Sequence, residues 1–125
     1  MTNLEIAQTN STPGIEADWD SGLLRLRGDS YPENSFALFQ PVVEWVETYL
    51  RDTQRPLRLE LELLYLNTSS VRALMDILDQ LEDAHQEQRP VSVTWLYDAA
   101  NERVADLAEE FKEDCTFPFE IVAKT

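Results

Sequence analysis

An α/β domain built on an open-faced, mixed sheet with its helices packed on one face is what this sequence predicts, and three observations carry that prediction. Leu57-Arg58-Leu59-Glu60-Leu61-Glu62-Leu63 alternates with period two, as do Leu24 and Leu26 with Arg25 and Arg27, and Val91, Val93, Trp95 and Tyr97 with Ser92 and Thr94. Such alternation puts apolar side chains on one face of a strand and polar ones on the other, whereas strands covered on both faces read as unbroken apolar runs. Between these strands the apolar spacing switches to three and four residues, so extended and helical segments take turns along the chain. A length of 125 residues, 43% hydrophobic and 27% charged, suits one domain that folds without a disulfide or metal staple.

Each element has its own signal. Residues 1–10 are polar and lead into the turn formers Asn10-Ser11-Thr12-Pro13-Gly14, so a poorly ordered start with at most one short strand, Leu4 to Ala7, is expected ahead of a single domain over 11–125. Ile15–Trp19 and Leu23–Arg27 flank Asp20-Ser21-Gly22, which reads as an N-terminal β-hairpin closed off by Gly28-Asp29-Ser30. From Pro32 the residues Phe36, Phe39, Val42, Val43, Val46, Tyr49 and Leu50 recur at helical spacing. Pro41 lies inside that pattern and deletes the bond to the Ala37 carbonyl, which predicts a kink or a fresh helix start. Asn67-Thr68-Ser69-Ser70 opens a second helix with the stripe Val71, Leu74, Met75, Leu78 and Leu81, running to about Gln88 before Arg89-Pro90 stops it. Asp98 or Asn101 caps a third helix carrying Val104, Leu107, Ala108 and Phe111, and a last strand spans Phe119 to Ala123. Right-handed crossovers make the later strands parallel, with their helices on the same face. Should the Arg25/Arg27 and Glu60/Glu62 strands be neighbours, these charges would pair across the wet face, at no more than about 1 kcal/mol each.

Composition removes several function classes. Ten Lys and Arg against twenty-four Asp and Glu leave a net charge of −14, which repels nucleic acid and anionic membranes. Met1 to Gln8 has no signal-peptide pattern and no apolar run reaches the length of a membrane span, so a cytoplasmic protein without direct membrane insertion is expected. The lone Cys115 stands near Phe117 and Phe119, with Lys112 the one basic neighbour, which fits a packed thiol better than a nucleophile. Glycines at 14, 22 and 28 cannot build a phosphate-cradling loop, and a single histidine, His85, cannot supply a two-histidine zinc site and reads as a solvated cap position. Asp76, Asp79, Glu82 and Asp83 fall opposite an apolar stripe, where they face water and lack the desolvation that an acid–base carboxyl needs, so neither a cation site nor an acid–base pair is expected of them. No cofactor is expected.

The run Leu66-Asn67-Thr68-Ser69-Ser70 stands apart. One helix cap needs one such residue, and this segment places four in a row at the carboxyl end of a strand and the positive end of a helix. From the residues alone it serves either as a plain N-cap or as a place where free N–H groups and the helix dipole accept a phosphate.

Two longer stretches, Gly28-Asp29-Ser30-Tyr31-Pro32-Glu33-Asn34 and Leu64-Tyr65-Leu66-Asn67-Thr68-Ser69-Ser70-Val71-Arg72-Ala73-Leu74-Met75-Asp76, resemble the SiaC family of bacterial regulatory phosphoproteins. The similarity extends from about Ser11 through Asn101-Glu102-Arg103 and Glu109-Glu110-Phe111 to Phe117-Pro118-Phe119. That family in turn resembles STAS-like, anti-anti-sigma domains, in which the first hydroxyl after a strand is phosphorylated. By that resemblance Thr68 is the phosphoacceptor, although Asn67 replaces the usual acidic residue and Ser70 the usual glycine. The resemblance further implies a non-enzymatic partner-switching protein, a cognate protein kinase and a PP2C-type phosphatase acting on Thr68. It also implies a diguanylate cyclase activated by the unphosphorylated form, with cyclic di-GMP and biofilm formation downstream. Asn67, Ser69, Ser70, Tyr65 and Arg72 would surround the phosphosite, with Tyr31, Glu33 and Asn34 bordering it. The simpler readings are a turn for 28–34 and an exposed Arg72–Asp76 helix pair. A small-molecule binder or enzyme using the strand carboxyl ends near Thr68 is the main alternative, and a purely structural acidic adaptor is another.

Overall fold

The described residues form nine elements: β1 (Leu4–Ile6), β2 (Gly14–Asp18), β3 (Leu23–Ser30), α1 (Ser35–Asp52), β4 (Leu57–Leu66), α2 (Thr68–Gln86), β5 (Val91–Asp98), α3 (Glu102–Lys112) and β6 (Phe119–Lys124). The structure is a computed structural model and describes residues 3–124. The strands form one sheet in the order β1-β2-β3-β4-β5-β6. Strands β1, β2 and β3 pair antiparallel, and every later pairing is parallel. Each parallel step passes through one helix, and right-handed crossovers that all advance in one direction place α1, α2 and α3 on the same face.

The leucines of β4 show how the pattern builds the core. Leu57, Leu59, Leu61 and Leu63 are buried beneath the helices beside Leu24, Leu26, Val93 and Trp95, and α1 and α2 close over them with Val42, Val46, Tyr49, Leu74, Ile77 and Leu81. Arg58, Glu60 and Glu62 lie on the uncovered face. The charge pairing there differs in part from the sequence expectation. Arg25 does meet Glu60 at 3.3 Å, but Arg27 turns to Glu16 at 3.1 Å, while Glu62 takes Lys124. Glu16 competes for Arg27 because β2 flanks β3 on the other side, opposite β4.

Four other expectations need correction. Gly28-Asp29-Ser30 does not close the hairpin: β3 continues to Ser30, and Gly28, at φ 106°, sits at a register shift between Gly28 and Asp29. Because Gly28 faces Leu63 and Asp29 faces Tyr65, Leu64 is the extra residue of a bulge. The bulge reverses the alternation, exposing Leu64 and Tyr65 and burying Leu66. Of the two outcomes expected at Pro41, a fresh helix start does not occur: α1 runs unbroken through it, since Ala37 and Pro41 are exposed and water can serve the released carbonyl. Phe36 and Met75 leave their predicted stripes, 73% and 45% exposed. Finally, His85 is half-buried with its ring against Phe117 at 6.3 Å, not simply solvated.

Leu4–Ile6 pairs with Ile15–Ala17 as the edge strand of the sheet, while residues 1 and 2 lie outside the described residues. At the hairpin, Gly22 has φ 67° and donates its N–H to the Asp18 carbonyl at 3.0 Å. A Cβ there would collide with the Pro56 carbonyl and the Tyr49 hydroxyl, so both backbone angle and space require glycine. The loop after α3 is pinned by Glu82, which accepts the Thr116 N–H at 2.8 Å and the Thr116 hydroxyl. These bonds hold the Glu82 carboxyl below its ordinary pKa. Cys115 donates to the Phe111 carbonyl at 3.4 Å, and burial, reinforced by Glu82, Asp114 and Asp79, pushes its thiol up to about 11. Among the described residues no helix is long and apolar enough to cross a membrane.

Candidate functional site

The carboxyl ends of β3 and β4 lie side by side, because Ser30 pairs with Leu66 and the Asn67 N–H extends that pairing to the Ser30 carbonyl at 2.9 Å. Two helices start from this edge. Asn34 caps α1, its Oδ1 accepting the Ala37 N–H at 3.1 Å, and Asn67 caps α2, its Oδ1 accepting the Ser70 N–H at 2.9 Å. Asn67 also takes the Ser69 hydroxyl at 3.2 Å and reaches the Pro32 carbonyl with its amide at 3.4 Å. One asparagine therefore holds the start of α2 against the segment that enters α1.

The hydroxyls divide into a buried set and an exposed one. Ser70 is fully buried, with Oγ 2.7 Å from Ser30 Oγ and 3.4 Å from Ser35 Oγ, while Ser35 Oγ lies 2.6 Å from Ser69 Oγ. Ser30, Ser35 and Ser70 thus form a hydrogen-bonded seam joining β3, α1 and α2. Ser70, one of the residues that would surround the phosphosite, is N3 of the helix, and its side chain turns in toward β3.

Thr68 is the contrast. It is N1 of α2, exposed, and its hydroxyl makes no hydrogen bond among the described residues. The capping duty open in the sequence has gone to Asn67, which leaves the Thr68 hydroxyl unused. The first turn of α2 carries no acidic residue, so no internal anion offsets the positive end of the helix dipole at this residue.

The surroundings are apolar for so acidic a chain. Tyr31 and Tyr65 are 46% and 54% exposed and meet edge to face at 5.9 Å. Phe36 stands out from the first turn of α1, and with Ser69 and Arg72 it lines a shallow groove between α1 and α2. Arg72 has no carboxylate within ion-pair distance among the described residues, so the Arg72–Asp76 pair does not form. Glu33 is exposed in the β3–α1 connection. All nine candidate residues, Thr68, Asn67, Ser69, Ser70, Tyr65, Arg72, Tyr31, Glu33 and Asn34, fall in or beside this corner. Ser30, Ser35, Phe36 and Leu64 were missed. Asn34-Ser35, a cap followed by a hydroxyl, was a readable signal for one of them, whereas the Leu64 bulge depends on a partner strand. Among the described residues no group of three or more His, Cys, Asp or Glu is placed to hold a metal ion.

The fold and the site define a small α/β domain with a free hydroxyl at the start of α2 and with Tyr31, Tyr65 and Phe36 exposed on neighbouring segments. The family model for SiaC family regulatory phosphoproteins matches residues 6–124, and the chain belongs to that family. An uncharacterized protein of Pseudomonas aeruginosa (strain UCBPP-PA14) is 63% identical over 98% of both chains. The crystal structure of apo-SiaC from Pseudomonas aeruginosa is 62% identical, with a TM-score of 0.95 over 98% of this chain and 100% of that one. A second structure, of the diguanylate cyclase SiaD in complex with its activator SiaC from the same organism, contains a chain 64% identical to this one. It matches with a TM-score of 0.95 over 97% of this chain and 99% of that chain.

Proposed function

We propose that this protein is a phosphorylation-gated activator of a diguanylate cyclase, with Thr68 as the gate. The observation that carries this reading is the free Thr68 hydroxyl, relieved of capping by Asn67 and exposed at the start of α2. A cyclase docks over this surface when Thr68 is unmodified. Kinship at 64% identity with the SiaC of the SiaC–SiaD complex supports the partner class. A phosphate adds about −1.5 to −2 charges at neutral pH, and burying it under a partner costs more than the docked contacts return. The helix N-terminus meanwhile tolerates the phosphate, so the switch works at the interface without unfolding the domain.

A protein kinase and a PP2C-type phosphatase set the state of Thr68 in the cytoplasm, and the protein itself performs no catalysis. Cyclic di-GMP output, and with it biofilm formation, follows the unphosphorylated fraction. Phosphate-affinity gels of protein isolated from cells, with tandem mass spectrometry of the shifted band, test the gate. A band that maps to Thr68 and vanishes in Thr68→Ala is expected; phosphate mapping elsewhere, or no phosphate in any growth condition, contradicts it.

A further inference from the structure

The sheet ends on one side at β1, three residues long, and on the other at β6, six residues long. β6 keeps a continuous register with β5 from Phe119 to Lys124, and neither a bulge nor a proline interrupts it. The Val93 N–H donates to the Pro118 carbonyl at 3.0 Å while Val93 itself pairs with Phe119, which sets the phase of this parallel ladder. Glu120, Val122 and Lys124 therefore turn their backbone groups toward β5, and Phe119, Ile121 and Ala123 turn theirs outward. Among the described residues no strand lies beyond β6 to receive them. Lys124 reaches Glu62 on the uncovered face of the sheet, so Glu120 and Val122, two and four residues away, lie on that face too; all three are exposed.

We propose that this edge is a homodimer contact, in which β6 pairs antiparallel with β6 of a second copy about a two-fold axis at Val122. In that register Ile121 faces Ala123 of the second copy and exchanges both backbone bonds with it, as the outward phase requires. Val122 meets Val122 of the second copy at the axis, a position without backbone bonds where side chains come closest. On each side of the axis Glu120 falls opposite Lys124 of the second copy. Lys124 gives one of its three N–H donors to Glu62 and has two left for that contact. A slip of two residues in either direction keeps the outward phase but sets Val122 opposite Glu120 or Lys124 and breaks both ion pairs. One register is thus selected by charge, and the edge supplies both halves of the pattern itself, which favours a second copy over an unrelated strand. The axis stands perpendicular to the sheet, so the helices of both copies lie on one face and the two β4 strands run in opposite directions. The two Thr68 residues then sit at opposite ends of the joined sheet, and the contact stands whether or not Thr68 is a gate.

A net charge of −14 on each copy opposes approach from a distance. The test is therefore made at about 0.15 M ionic strength, where a Debye length of about 8 Å screens that repulsion and spares a pair in contact. Sedimentation equilibrium of the full chain from about 10 µM to about 1 mM should show a monomer–dimer equilibrium, with amide chemical-shift changes centred on β6. Glu120→Lys and Lys124→Glu, each checked for folding by thermal melting, should each weaken the dimer at least about ten-fold, because each turns two attractive pairs into two repulsive ones. An equimolar mixture of these two variants should associate about as tightly as wild type, since every pair across the axis is again of opposite sign. The double variant carrying both substitutions should recover in the same way. Ala123→Pro, which removes an outward N–H and no bond to β5, should abolish pairing. A monomer throughout the concentration range, unchanged affinity in the single variants, no gain on mixing them, or a dimer whose shift changes lie away from β6 would each overturn the proposal.

Discussion

Replacing Asn67 by Ala removes the acceptor of the Ser70 N–H at 2.9 Å and of the Ser69 hydroxyl at 3.2 Å, and frees the link to Pro32. Because Ser70 is fully buried, its N–H cannot turn to water in compensation. Loss of a capping Asn costs about 0.5–2 kcal/mol, and this one should fall in the upper half of that range. A chain of 125 residues has an unfolding entropy of about 0.26 kcal/mol/K, so a cost of about 1.2–2 kcal/mol lowers Tm by about 5–8 °C. Thr68→Ala removes only an exposed hydroxyl without a partner and substitutes a better helix former, so Tm should move by less than about 2 °C. Thr68→Asp adds a carboxylate at the dipole's positive end and should gain about 0.3–1 kcal/mol. Urea and thermal melts of the three variants beside wild type are the assay. If Thr68→Ala melts several degrees low while Asn67→Ala is neutral, Thr68 is the cap. Any loss of binding in its variants would then report misfolding and not a gate.

Other consequences follow from neighbouring contacts. Ser70→Ala leaves Ser30 Oγ with no partner in a fully buried site and should cost about 1–3 kcal/mol, with a double-mutant cycle against Ser30→Ala giving non-additivity; additive losses would deny the seam. Cys115 should label slowly at neutral pH and faster as pH climbs toward about 11, because only the thiolate reacts; rapid stoichiometric labelling at pH 7 contradicts the packing described. The folded-state pKa of Glu82 is depressed, so its bonds to Thr116 stabilise the fold above the unfolded carboxylate pKa and are lost as pH falls through the folded value. Glu82→Gln should accordingly flatten the acid limb of a stability–pH curve below about pH 4.5, and an unchanged limb would assign the acid sensitivity to other carboxylates.

The alternation of Leu57 to Leu63 needed no partner to be legible, since period two in a strand declares which face is wet, and the helical stripes with Leu74, Leu78 and Leu81 were equally local. Legibility failed where the answer belonged to another element. The Leu64 bulge exists because β3 slips by one residue at Gly28, and only that slip puts Tyr65 beside Tyr31 on the surface. Phe36 and Met75 have the spacing of core residues, and they are exposed because no further layer covers those helix faces. The sequence marked Asn67 to Ser70 as a special helix start without saying which member caps it. That division is made by Ser30 and Ser35, far away in the chain, which draw Ser70 and Ser69 toward the interior side and leave Thr68 outside. Family resemblance singled out Thr68; the hydrogen bonds explain why it is free.

The most direct test is the rate of cyclic di-GMP formation by a purified diguanylate cyclase, SiaD of Pseudomonas aeruginosa, titrated with this protein in two forms. One is unmodified and the other is stoichiometrically phosphorylated on Thr68, with thermal melts confirming that both are folded. The unmodified form should raise the rate saturably, and the phosphorylated form should leave it at the basal level over the same concentrations. Equal activation by the two forms, or none by the unmodified form, would contradict the gate.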